Sequence, residues 1–203
     1  MSQPLLSILI PTVEERGDEL NKLVGKINRI CFEGGYEKEV EVKAYKDNKE
    51  MTIGEKRETL YQLANGIYSW QIDDDDDISD NAIELILKSA KEPFSGYDTD
   101  CITFEEHIDI DGKIQRSNHS LQYDDWHDNF DGFDYVRTPF FKSVIKTGIA
   151  KSVPIPHIRF GEDHQWAQAL KPHLKSEIHI PEQLYRYIHK STPHNERYGF
   201  DRE

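Results

Sequence analysis

The sequence predicts an α/β fold, with a mixed, mainly parallel sheet flanked by helices in one domain spanning residues 1–203. Two patterns predict it. Over roughly the first 90 residues, strand-like runs alternate with helical stripes as β-α-β-α-β-α, and parallel strands need such crossovers. No internal repeat and no linker-like composition interrupts the chain, and 203 residues suffice for one large domain with a real core.

The elements follow in order. "LLSILIPT" is a continuous apolar run stopped by Pro11, as expected of a buried parallel strand. From Asp18, residues Leu20, Leu23, Val24, Ile27, Ile30 and Cys31 form one helical face, which Gly34-Gly35 ends. "VEVKAY" alternates Val40, Val42 and Ala44 as a second strand. "TIGEKRETLYQLANG" opens on a capping-box spacing, Thr52 to Glu55, and closes at Asn65-Gly66. "IYSWQI" is a third strand, and Ala82, Ile83, Ile86, Leu87 and Ala90 mark a third helix.

The second half changes character. "CITFEEHIDIDGKIQRS" predicts strands joined by an Asp111-Gly112 hairpin. "SLQYDDWHDNFDGFDYVRT" is aromatic and acidic without a clean period, and "PFFKSVIKTG" reads as a short helix. "EDHQWAQAL" is a helix stopped near Pro172, "SEIHIPEQLYRYIHKS" one or two strands, and residues 191–203 a mobile tail. This divides the domain into a nucleotide-binding half, 1–92, and a variable half, 93–190.

The formal net charge of −13 disfavours binding driven by phosphate-backbone contacts. Cys31 and Cys101 are expected to be buried free thiols. No apolar run reaches the ~18 residues of a membrane span, and the N-terminus lacks a basic leader, so the expectation is a soluble, cytoplasmic protein.

Asp73 to Asp77 form an unbroken acidic run. Two carboxylates ~4 Å apart repel by roughly 4 kcal/mol at an effective dielectric near 20. A solvated turn preceding a helix is one explanation. An EF-hand loop is a second: Asp73, Asp75, Asp77, Asn81 and Glu84 fall at ligand positions, but Ile78 stands where the loop needs Gly. A third is a divalent-cation site for a nucleotide diphosphate. It is favoured by the position of the run at the C-terminal end of a parallel strand, where open α/β sheets bind ligands.

"LSILIPT", "VKAYKDN", "GEKRETLYQLANGIYSWQIDDDDDIS" and "FGEDHQWAQAL" together resemble the family 2 glycosyltransferases, which have the Rossmann-like GT-A fold. The resemblance runs from about Leu5 to His189. It implies a nucleotide-sugar donor, UDP-linked, and an Mn²⁺ or Mg²⁺ cofactor. Pro11, Thr12 and Glu14 would border the nucleotide pocket, and Asp47 would meet the base. Gly54, Lys56 and Arg57 would approach the nucleotide-sugar. Asp73, Asp74 and Asp75 would be the DxD motif, with Asp73 and Asp74 on the donor, Asp75 and Asp73 on the metal, and Asp74 or Asp76 able to share it. His189 matches a late metal ligand of some members, and "HKSTPHNE" a lid.

The resemblance further makes Glu162-Asp163 the ED motif, with Asp163 the general base of an inverting transfer. The acceptor, a hydroxyl-bearing glycan or a modified nucleobase, would meet Trp166 and Arg137. For Trp166 a place in the core is the equal alternative, and for Arg137 a plain ion pair. Tyr123, Trp126, Phe130, Phe133 and Tyr135 suit stacking as well as packing. Val13-Glu14 stands where many members carry Tyr-Asn, and Asn48 where a second Asp is usual. Rival readings are a nucleotidyl-handling transferase of the same architecture and a Ca²⁺- or carbohydrate-binding module.

Overall fold

The computed structural model describes residues 3–92 and 99–189. The expected tail and all of the expected lid after His189 lie outside the described residues. The chain forms β1 (Leu6–Val13), α1 (Gly17–Gly34), β2 (Val40–Asp47), α2 (Ile53–Leu63), β3 (Tyr68–Gln71), β4 (Asp77–Ile78) and α3 (Ala82–Ala90). It continues through β5 (Cys101–Ile110), β6 (Lys113–His119), β7 (His127–Phe130), β8 (Phe133–Arg137), β9 (Val144–Lys146), α4 (Thr147–Ser152), α5 (Glu162–Leu170) and β10 (Glu177–His189).

The sheet order is β2-β1-β3-β9-β5-β6-β8-β7, with β10 beside β5 and β4. β1 lies parallel to β2 and β3, so the first half is the expected parallel unit. Alternate residues of β1 face opposite layers. Ile8 and Ile10 pack with Leu23 and Ile27 of α1 and Ile83 and Ile86 of α3. Leu9 packs with Leu60 and Tyr61 of α2 and with Trp166 and Leu170 of α5. A strand buried on both faces is mainly apolar on both, which is why "LSILI" shows no alternation, and its one polar side chain, Ser7, is satisfied by Glu41 (2.6 Å).

Local signals are realised where their partners are close in sequence. The Thr52–Glu55 capping box forms with both bonds, and α1 ends on Gly35 at φ 72°. Asp111-Gly112, at φ 51° and 86°, turns the β5–β6 hairpin. Asp131-Gly132, at φ 55° and 79°, turns a second hairpin, β7–β8, within the segment that showed no period. Gly66 has another reason to be glycine: a Cβ there would stand 2.6 Å from the Ser7 backbone nitrogen.

"PFFKSVIKTG" corrects the expectation of a short helix. Val144–Lys146 is instead β9, inserted antiparallel between β3 and β5, and the helix α4 begins only at Thr147. Three apolar-rich residues bridging two strands carry too little pattern to be told from a helical turn. Cys31 and Cys101 are buried and free. No helix among the described residues is long and apolar enough to cross a membrane.

Candidate functional site

The site lies beyond the C-terminal ends of β1 and β3, which the Ile72 N–H to Leu9 carbonyl bond (3.0 Å) holds in step. There the aspartates diverge. Asp73 pairs with Arg57 (2.9 Å), and its backbone N–H donates to Tyr185 Oη (3.2 Å). Asp74 is buried, accepting from Thr12 Oγ1 (2.6 Å) and Arg16 Nη1 (2.7 Å). Asp75 is half-buried and meets Arg16 Nη1 at 3.1 Å. Asp76 is buried, accepting from Tyr185 Oη (2.6 Å) and the Ile188 N–H (2.9 Å). Asp77 pairs with Lys26 (2.8 Å).

Helix α3 begins at Ala82, with Asn81 as its N-cap. The outer aspartates therefore do not decorate a helix start; they tie the turn to β10 and α1. The EF-hand reading fails on geometry: Glu84 is exposed on α3, and Asp76, between two would-be ligands, is bound inward to β10.

The electrostatics separate the carboxylates further. Burial, reinforced by Asp73 and Asp74, pushes the Asp75 carboxyl up despite Arg16. Burial pushes Asp76 up to about 8, against the nearby Lys142 charge.

Arg57 is the hub. It is buried and pairs with Asp73 at 2.9 Å and, through Nε, with Glu162 at 3.3 Å. It also donates to Gln71 Oε1 (3.2 Å), and its guanidinium lies 3.5 Å over the Phe141 ring. One cation thus joins the acidic turn to the start of α5, reaching Glu162 from 105 residues earlier in the sequence. Burial would lower the Arg57 pKa, but the Asp73 and Glu162 charges outweigh it and raise it. Burial raises Glu162, with Asp163 adding to it.

Asp163 is half-buried beside Glu162, and one of its oxygens accepts the His164 N–H (2.8 Å). Gly54 holds α2 against the loop before α5: a Cβ would stand 1.9 Å from the Pro156 carbonyl oxygen. Lys56 is buried, bonded to Asp47 and to the Thr12 carbonyl (2.6 Å). Burial works against the Asp47 anion, but the Lys56 and Met51 hydrogen bonds bring its pKa down. Pro11 is buried at the end of β1, and Glu14 is exposed on the following 3-10 turn, Glu14–Arg16.

Trp166 and Arg137 take the alternatives weighed beside acceptor contact, a place in the core and an ion pair. Trp166 is 1% exposed, stacks on Tyr61 at 5.3 Å, and donates its indole N–H to the Val153 carbonyl (3.0 Å). It is a core tryptophan, and its contact with a sugar is withdrawn because no ring face remains open. Arg137 pairs with Asp128 (3.3 Å) and lies 5.0 Å over both Trp126 and Tyr135. Tyr123 is buried, whereas Phe130 is 51% exposed. His189 is half-buried at the end of β10, one residue past the Ile188 N–H that binds Asp76.

Sequence reasoning missed Arg16, Tyr185 and the buried trio of Lys142, Glu106 and His119. Lys142 Nζ donates to Glu106 Oε1 (2.6 Å), and His119 Nε2 lies 3.0 Å from Glu106 Oε2. Charged residues set among apolar neighbours, Glu106 in "CITFEEHI" and Lys142 in "PFFKSV", were the available signal.

A divalent cation fits this donor set. Mg²⁺-like sites use one or two carboxylates and take their other oxygens from phosphates and water. Asp75 and Asp73 keep partly exposed carboxylates on this turn, and Asp75 is under-compensated. Among the described residues no group of three His, Cys, Asp or Glu side chains is arranged to hold a metal by itself.

Fold and site arrangement together define a GT-A-type α/β architecture, with its acidic turn at the C-terminal ends of the parallel strands. The solved structures sharing it include S. aureus TarS, a GT-A-type glycosyltransferase. The crystal structure of TarS 1–349 in complex with UDP-GlcNAc matches with a TM-score of 0.65 at 11% identity, covering 95% of this chain and 60% of that one. TarS 1–349 in complex with UDP matches with a TM-score of 0.61 at 12% identity, covering 93% and 61%. The chain therefore spans about 60% of the length of these neighbours. At such identities the likeness carries the fold, and it does not single out family 2. No protein-family model and no curated protein sequence matches the chain.

Proposed function

We propose that the protein is a metal-dependent, inverting glycosyltransferase that moves a sugar from a UDP-linked donor to an acceptor hydroxyl. The observation that carries this reading is the Arg57 bridge, which ties Asp73 to Glu162 and so brings the acidic turn and the Glu162-Asp163 pair to one place. The fold is shared with a protein solved with UDP-GlcNAc and with UDP, which supports a nucleotide-sugar donor.

Asp75 and Asp73 would hold Mn²⁺ or Mg²⁺, which supplies charge neutralisation to a diphosphate leaving group. Asp163 is the general base: it takes the acceptor hydroxyl proton as that oxygen bonds to the anomeric carbon. The anomeric carbon–phosphate oxygen bond breaks, its electron pair leaves with UDP, and the configuration inverts. Arg57 keeps the two carboxylate sides in register. Lys56 fixes Asp47 at the end of β2, where the nucleotide base would lie.

Calorimetric titration of UDP with and without Mn²⁺ tests the donor. Binding enhanced by Mn²⁺ is expected; absence of binding by any nucleoside diphosphate rejects the reading. Asp163→Asn should keep UDP binding and lose transfer and slow donor hydrolysis in a nucleotide-sugar screen. Retained turnover removes Asp163 from the base role.

A further inference from the structure

Arg16 is the one cation paired with Asp75 among the described residues, and a single atom, Nη1, reaches both Asp74 (2.7 Å) and Asp75 (3.1 Å). The two contacts are unequal. Asp74 has a second donor in Thr12 at 2.6 Å, and its side chain is 2% exposed. The Asp75 contact is longer, and both of its side chains are about a quarter exposed, at 27% and 26%.

Resting on the metal reading above, we infer that Arg16 is a placeholder for the divalent cation. Its guanidinium holds Asp75 in the metal-free protein and gives that carboxylate up when the cation binds. Arg16 thereby sets the metal affinity of the site.

Like charges explain the exchange. A divalent cation on Asp75 would sit beside a guanidinium in a partly desolvated turn, where repulsion is screened less than in water. The contact that yields is the weaker one, and Asp74 remains as the anchor. Without a placeholder, Asp73, Asp74 and Asp75 would face one another, offset by Arg57 and the more distant Lys142 charge, both acting on Asp73. The price is competition: metal binding has to displace a cation already present. A nucleotide that brings phosphate charge shifts that balance toward the metal, so the placeholder makes metal uptake depend on the donor.

The experiment is Mn²⁺ binding to the full chain, followed by electron paramagnetic resonance of the free ion, without nucleotide and with UDP. Arg16→Gln is expected to bind Mn²⁺ about tenfold more tightly than wild type without nucleotide, and to show a smaller UDP enhancement. Arg16→Lys keeps a charge for Asp74 but lacks the guanidinium fork, and is expected to tighten binding less. It replaces Arg16→Gln if circular dichroism shows that variant unfolded.

In wild type, Mg²⁺ should shift the Arg16 side-chain ¹⁵N resonances, assigned by their loss in Arg16→Lys. Mn²⁺ affinity that is unchanged or weakened in both variants overturns the inference, and so does an unmoved Arg16 resonance at saturating Mg²⁺. Absence of Mn²⁺ binding in every protein, even with UDP, instead overturns the metal reading and this inference with it.

Discussion

Asp74 and Asp75 are adjacent in sequence, yet their side chains are 2% and 26% exposed, and only Asp74 has a second side-chain donor besides Arg16. Their substitutions should separate accordingly. Asp74→Asn loses a charge-assisted bond in a buried place and should cost about 2 kcal/mol in urea unfolding. Asp75→Asn relieves repulsion from Asp73 and Asp74, so its stability should match or exceed wild type while the Mn²⁺ enhancement of UDP binding disappears. Equal loss of stability in both variants would contradict the division of labour. The sequence could mark the run as a site but could not rank its members, because five identical residues differ only in their partners. Those partners, Arg16, Arg57 and Tyr185, are distant in the chain and converge only in three dimensions.

Helix α2 shows what an element contributes. Its start was legible because the capping box is written within four residues, Thr52 to Glu55. Its function depends on what it leans against, which was not legible. Gly54 sits against the Pro156 carbonyl and Arg57 one turn later against Glu162, so a single helix sets the distance between α5 and the acidic turn. Gly54→Ala forces a Cβ into backbone, which cannot rotate away. We expect about 3 kcal/mol of destabilisation in urea unfolding, together with weaker UDP binding as Arg57 and Glu162 separate. A variant within about 0.5 kcal/mol of wild type would show that the loop before α5 moves freely. Strand β9 is the opposite case: its three residues are defined by hydrogen bonds to β3 and β5, and nothing local announces them.

Across the whole molecule, the first half was legible because each of its strands and helices carries its own apolar pattern. In the second half the Asp111-Gly112 hairpin, α5 and β10 were legible, but β9 and the way the elements join were not, because charges buried between elements hold them. Lys142 lies over the Tyr185 and Tyr187 rings, its charge acting on Asp76, and pairs with Glu106, which in turn meets His119. Through the Lys142 carbonyl, which accepts the Trp70 indole N–H (2.7 Å), this network fastens β10, β5 and β6 to β3. Glu106→Gln should therefore be severe, about 3–5 kcal/mol, because it leaves Lys142 buried without its counter-charge.

The loss should depend on pH in a defined direction. Burial would raise the Glu106 pKa, but Lys142 and His119 outweigh it and bring it down to about 2. Below about pH 4.5 the unfolded chain takes up a proton that the folded chain refuses, so this contribution is complete above that pH and vanishes toward pH 2. Burial also lowers the His119 pKa, so the unfolded state gains protons at His119 below about pH 6.5, adding acid sensitivity of the same sign. The stability gap between wild type and Glu106→Gln should be full at pH 7 and narrow steadily as pH falls from 4.5. A gap independent of pH in urea titrations would mean that Glu106 contributes its shape and not its charge.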